Sequence, residues 1–217
     1  MAICASGEIA LGGSTAGRSV NLELGRSASA AICMNETGVR TLAGVPSGAI
    51  SMNCFYGKSR GPTTLGKVFE GGYNTGVVDI GGGVCYYMLL SPNATGCTIC
   101  QWKTTRTSTA GTCSTVNGYL NTYGAMQNAT HPAGNWTATR SINGYSDWYL
   151  PAISETGTMY TNKGSMPSGE GFASSNYWSS TEYTTSCACY RIFSSGGASY
   201  SFKTFTNRVR ALRRSRI

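Results

Sequence analysis

The chain has 217 residues, enough for one or two domains that each bury a core. Charged residues make up only 12% against a usual ~25%, while 29 glycines and 13 tyrosines exclude disorder and favour a turn- and strand-rich fold over a helical one. The net charge of +8 invites a nucleic-acid reading. However, Arg208, Arg210, Arg213, Arg214 and Arg216 crowd into the terminal "NRVRALRRSRI" and form no basic groove with interleaved aromatics, so an ion-pairing strand or a solvated end is expected, and no nucleic-acid partner.

Residues 1–59 repeat a phrase made of a polar start, a few helix-compatible residues and a glycine stop. "SVNLELG", "NETGVRTLAG" and "SMNCFYG" predict three short helices, with Ser19, Asn35 and Ser51 as N-caps and Gly25, Gly44 and Gly57 in the left-handed position after the last turn. Ile50 and Phe55 are spaced to staple the start of the third. Helices this short must pack on each other or on a partner. The opening "MAICASGEIALGG" lacks a basic leader, and "VCYYMLL" (84–90) is far short of the ~20 apolar residues that cross a bilayer, so neither export nor membrane insertion is expected.

"GKSRGPTTLGK" (57–67) reads as a linker, centred on 60–66, and a second domain follows over 67–217. There "KVFEGGY" and "GGGVCYYMLLS" predict strands broken by glycine turns, and "TCSTVNGYLNTYGAMQNATH" predicts a helix around Leu120–Asn128. "ACYRIF" and "ASYSFKTF" flank "SSGG" (194–197) as a hairpin, and "NRVRALR" alternates as a strand, with Val209 and Ala211 on one face and Arg208 and Arg210 on the other.

Nine cysteines cannot all pair, and free thiols are the expectation. "CTIC" (Cys97, Cys100) is a single close pair, and the one histidine, His131, stands apart, so no metal and no cofactor are expected. Catalysis is poorly supplied. Asp79 and Asp147 are the only aspartates, no serine sits in a nucleophile elbow to use His131, and "GGG" (81–83) lacks a phosphate-loop frame. The chain is expected not to be an enzyme.

"GYSDWYLPAISE", "YWSSTEY", the "RIFSSGG" hairpin and the terminal "RVRALR" together resemble the Lcl C-terminal domain family, within the C-type-lectin-like superfamily. "GGSTAGRSVNLELGRSASA" and "RTLAGVPSGAISMNCFYGKS" resemble an N-terminal module common in tailed-bacteriophage structural proteins. The resemblance implies an α+β protein, with a small helical adaptor followed by a loop-rich C-type-lectin-like domain of antiparallel strands. It implies a virion protein of the tail or tail fibre, assembled in the host cytoplasm, that docks on other virion proteins through residues 1–59. The head would be presented to a host cell-surface glycan or protein by a homo-oligomer, trimers being common among phage appendages. A capsid or baseplate decoration protein, using the head as a protein–protein module, is the alternative. Family members carry a longer acidic helix after the Leu-Pro motif, whereas "LPAISETGTMY" turns to glycine, so that helix is expected to be short. The Glu-Pro-Asn, Gln-Pro-Asp and Trp-Asn-Asp motifs of calcium-dependent lectins are missing, so no calcium-clamped sugar site is implied.

Within the head, Trp148, Leu150, Pro151 and Trp178 are expected as fold anchors, because a glycine-rich fold needs a few large buried side chains. Tyr183, Tyr190, Tyr200 and Phe202 are the candidate receptor-contacting residues, with Tyr190 and Tyr200 expected as neighbours across the hairpin.

Overall fold

A computed structural model describes residues 9–15, 18–45, 47, 49–55, 62 and 64–216. The chain divides into two compact units, Met1–Thr63 and Thr64–Ile217. Residues 60, 61 and 63 of the expected linker lie outside the described residues, as does Gly57.

In the first unit the helices are α1 (Val20–Glu23) and α2 (Thr37–Ala43), followed by a 3-10 turn at Met52–Phe55. Ser19 caps α1 by accepting from the Leu22 amide, and Gly25 and Gly44 take the left-handed conformation after the two helices. The cap of α2 differs from expectation. Glu36 occupies the N-cap position, while Asn35 accepts from Arg40 Nε and Glu36 Oε1 accepts from the Cys33 amide. A polar residue one place earlier was diverted to a side chain on the helix itself. Val20, Val39, Leu42, Ala43 and Phe55 form the core, with Ile50 against them as the staple spacing suggests. The third phrase forms a single 3-10 turn where an α-helix was expected.

The second unit is mostly loop and antiparallel strand, in two sheets. A four-stranded sheet has the order β1-β2-β3-β9, from β1 (Val68–Phe69), β2 (Gly72–Asp79), β3 (Cys85–Leu90) and β9 (Leu212–Arg216). A five-stranded sheet has the order β4-β8-β5-β6-β7, from β4 (Cys97–Gln101), β5 (Asn176–Glu182), β6 (Cys187–Ile192), β7 (Ala198–Phe202) and β8 (Thr206–Arg210). Every pairing is antiparallel except β5 with β8. The terminal basic stretch crosses from one sheet to the other at Ala211, where the Ala211 amide donates to Gly96 O and its carbonyl accepts from Ser91.

The remaining α-helices among the described residues are α3 (Asn93–Gly96), α4 (Gly118–Ala125), α5 (Pro132–Ala138) and α6 (Ile153–Thr161), the last followed by a 3-10 turn at Lys163–Ser165. The helix expected around Leu120–Asn128 is α4, shifted toward its N-terminus because Asn117 caps it through the Leu120 amide, and it stops at Met126, which is fully buried. The helix after the Leu-Pro motif, expected to be short, runs nine residues and continues through Gly157. A side chain at Gly157 would start 2.9 Å from Arg191 Nη2, which donates to Ile153 O, so the glycine gives room for a guanidinium that bonds the helix's first turn. On the other side α6 packs against a bulge in β2, where Gly76 adopts φ +129° and Asn162 Nδ2 donates to Thr75 O at 2.9 Å.

Three consecutive residues distribute themselves among three cores. Trp148 joins Ile142 and Ala211; Tyr149 joins Met88, Met159 and Phe193; Leu150 joins Trp102, Trp178 and Val209. The segment stays in place because the Tyr149 amide and carbonyl both bond Leu212 on the free side of β9.

Candidate functional site

The strand β7 is an edge of its sheet, and its "ASYSF" alternation turns Tyr200 and Phe202 to one face opposite Cys189 and Cys187. Tyr183, in the turn after β5, stacks on Tyr200 with ring centroids 4.1 Å apart and 14° between planes. Phe205 meets Phe202 edge-on at 5.6 Å, and the Arg106 guanidinium lies 3.8 Å above the Phe202 ring. Tyr183, Tyr200, Phe202 and Phe205 remain 54, 53, 40 and 53% exposed, a concentration of half-open aromatic surface that a solvated hairpin does not require. Three of the four candidates from the sequence therefore meet here. The fourth, Tyr190, does not. It pairs with Ser199 rather than Tyr200, one residue out of phase, so its ring points to the other face and packs edge-on against Trp178 at 6.0 Å. Phe205 and Arg106 were not anticipated, Arg106 because its loop is about a hundred residues away in sequence.

That loop, residues 103–112, is held from beneath by charge. Lys203 is fully buried, and its ammonium donates to Thr107 O (2.9 Å), Thr185 O (2.8 Å) and Glu182 Oε2 (2.7 Å). Lys103, also buried, donates to Thr107 O, Ser108 O and Thr109 Oγ1. Glu182 accepts from Ser108 Oγ and from the Thr109 amide, both at 2.7 Å. Burial pushes the Glu182 carboxyl up, but the bonds from Lys203, Ser108 and Thr109 outweigh it and hold the group below its ordinary value. All six ammonium protons find acceptors, which a buried lysine requires.

His131 closes the same cluster. Its Nδ1 lies 2.8 Å from Asn128 Oδ1, an acceptor, which leaves Nε2 to accept from the Thr109 hydroxyl at 2.9 Å. The order hydroxyl, imidazole, amide is that of a nucleophilic relay. Here the Thr109 oxygen is already engaged by Lys103, and the unit ties the loop down. Burial, then Lys103 and Lys203, lower the imidazole pKa from 6.5 to about 4 against the pull of Glu182. Since the folded value lies below the unfolded one, His131's contribution is complete above pH 6.5 and is lost as pH falls through about 4. The variant His131→Gln cannot titrate. Its stability deficit relative to wild type, read by urea unfolding, is expected to narrow by about 2–3 kcal/mol between neutral pH and pH 4. A gap independent of pH would remove the imidazole from the cluster's energetics.

The family model of the Lcl C-terminal domain matches residues 95–213, more than half of the chain. The chain belongs to this family. The match begins after β3, later than the 67–217 span expected from the motifs, so the β1–β3 strands precede it. No curated protein matches the chain.

Inside the Lcl C-terminal domain the four expected anchors, Trp148, Leu150, Pro151 and Trp178, are all buried. Trp178 Nε1 donates to Cys100 O and Trp148 Nε1 to Tyr145 O, so neither indole proton is stranded. Asp147, just before Trp148 in the motif, pairs with Arg213 Nε at 2.5 Å, and Arg213 also reaches Glu70 Oε2 at 3.0 Å while covering the Tyr145 ring. Arg210 is almost completely buried and donates to Ser91 O, Asn93 Oδ1 and Glu170 O. Of the terminal arginines, Arg210 on β8 and Arg213 on β9 thus pair with carboxylates, while Arg214 donates to the neutral Asn117 Oδ1.

Glu155 escaped the sequence reading. Its carboxyl is buried and accepts from the Ala152 amide (2.6 Å), the Tyr149 hydroxyl (2.7 Å) and the Gly118 amide (3.1 Å). Glutamate three residues into a helix is half of a capping box, but alanine at the N-cap has no side-chain oxygen to supply the other half, so the sequence showed no such box. Cys97 and Cys100 stand an odd number of residues apart on β4 and so face opposite ways. Burial pushes the Cys100 thiol up to about 11, which keeps it protonated at neutral pH. Among the described residues no three His, Cys, Asp or Glu side chains group as metal ligands.

Proposed function

We propose that this protein is a structural component of a tailed-bacteriophage virion, a tail or tail-fibre part whose Lcl C-terminal domain is a C-type-lectin-like head that recognises the host surface without catalysis. The observation that carries this reading is the exposed aromatic face of Tyr183, Tyr200, Phe202 and Phe205 with Arg106 across it. Stacked rings offer flat apolar area to a sugar face or a protein groove, and rings of this kind dominate interface energetics. Residues 1–59, which resemble a phage structural module, would seat the chain on other virion proteins as a helical adaptor. The assembled particle would carry it as a homo-oligomer after assembly in the host cytoplasm.

The test is substitution of the face. The triple variant Tyr183→Ala, Tyr200→Ala, Phe202→Ala is expected to keep its melting temperature nearly unchanged, since each ring is half in water already. Adsorption of purified protein to host cells should fall at least thirtyfold, as ~2 kcal/mol for a single central ring implies. Normal adsorption combined with leaky particles would point to decoration of the capsid or baseplate instead, with hundreds of copies per virion rather than a few.

A further inference from the structure

Besides Tyr200 on β7, the exposed face is built from three segments that are separate in the chain: the loop 103–112, the turn around Tyr183–Ser186, and the stretch from Phe202 to Phe205. Loops rich in Ser, Thr and Gly have little apolar surface to hold them, and ordering such loops on binding opposes affinity. Each of these segments is nevertheless tied to one point. Lys203 reaches Thr107 O in the first segment and Thr185 O in the second while standing in the third. Its own amide donates to Ser186 O, and its carbonyl accepts from the Lys103 amide. Glu182 and Lys103 add four further bonds to Ser108 and Thr109.

We propose that Lys203, with Glu182 and Lys103, is the positioning element of the recognition face. It is a buried charged clasp that holds Arg106, Tyr183, Phe202 and Phe205 as one rigid surface before any partner arrives. The inference rests on the recognition reading above and assigns the source of the face's rigidity. Burying a lysine–glutamate pair is a poor route to stability, since apolar residues of similar size usually serve as well or better. What an ammonium does supply is three divergent donors from one atom, which can gather carbonyls from separate loops. The clasp also takes hold mainly of main-chain atoms: Thr107 O, Ser108 O, Thr185 O and the Thr109 amide. The exposed side chains of Thr104, Thr105 and Thr185 take no part in these bonds and can change the face's specificity while its geometry is kept.

Arg106 is an exposed trypsin site in the middle of the clasped loop, which makes the clasp directly readable. In the full chain, cleavage after Arg106 is expected to be at least a hundredfold slower than in a free peptide of residues 100–113. In Lys203→Met it should accelerate at least tenfold while the far-ultraviolet circular dichroism is kept. The double variant Lys203→Met, Glu182→Leu removes both charges, leaves no orphaned carboxylate, and should show the same acceleration. Host-cell binding by either variant should weaken at least tenfold although every exposed ring is still present. Cleavage of the wild-type chain at the peptide's rate would overturn the clasp without recourse to any variant. An accelerated variant that binds host cells as tightly as wild type would overturn its positioning role. A protected wild-type loop on a chain that binds no host surface would leave the clasp standing and remove the recognition reading instead.

Discussion

Replacing Glu155 with alanine is expected to cost about 4 kcal/mol or more, enough to abolish folding in a marginally stable domain. The carboxyl is buried and is the acceptor for the Ala152 amide, the Tyr149 hydroxyl and the Gly118 amide. Alanine would leave three buried donors without partners, each costing ~1–3 kcal/mol, in addition to the space vacated. The same group carries a pH signature. Burial, only partly offset by these hydrogen bonds, raises its pKa from 4.5 to about 7. A folded value above the unfolded one means that Glu155's contribution is complete below pH 4.5 and declines as pH rises through about 7. Glu155→Gln, which keeps an acceptor oxygen but cannot ionise, should therefore gain on wild type between pH 4.5 and 8. Urea unfolding at the two pH values reads both effects, and an alanine variant that unfolds at the wild-type midpoint would show that the three donors have other partners.

Trp148→Ala should be nearly as damaging, at ~3–5 kcal/mol. The indole is completely buried against Ile142 and Ala211, with Trp136 and Tyr145 around it. Ala211 is the residue at which the terminal strand leaves one sheet for the other, so the cavity would open under the crossover that joins them. Loss of soluble protein is the expected outcome, and Trp148→Phe, which keeps most of the apolar volume, should recover part of it. A well-folded Trp148→Ala chain that merely fails to bind host cells would move this residue from the core to the proposed recognition surface.

The two effects have their origin in one short stretch, residues 148–155, and they show what kinds of information a sequence carries. Large apolar residues in a glycine-rich chain announce their own burial, because nothing else nearby can fill a core; Trp148, Leu150, Pro151 and Trp178 were legible on that ground. Alternation in "ACYRIF" and "ASYSFKTF" likewise made the β6–β7 hairpin legible, since a period of two needs no partner to be recognised. The relative register of those two strands was a different matter. It depends on how the loop between them closes, here with the Ile192 amide bonded to Gly197 O, and a shift of one residue sends Tyr190 into the core and leaves Tyr200 outside.

From residue types and spacing alone, the sequence determined that the chain is strand- and turn-rich, that its large anchors are buried, and that an aromatic hairpin lies near its end. Tertiary structure alone decided that Glu155 is an internal acceptor, that Arg210 and Arg213 are buried partners rather than surface charge, and that Arg106, Phe205 and Lys203 belong to the Tyr183–Tyr200 face. The physical reason is that hydrophobic burial is a property of a residue and its near neighbours, whereas the burial of charge depends on acceptors that the fold brings from far away. Lys203 reads as an ordinary solvated lysine until Thr107, Glu182 and Thr185 arrive around its ammonium.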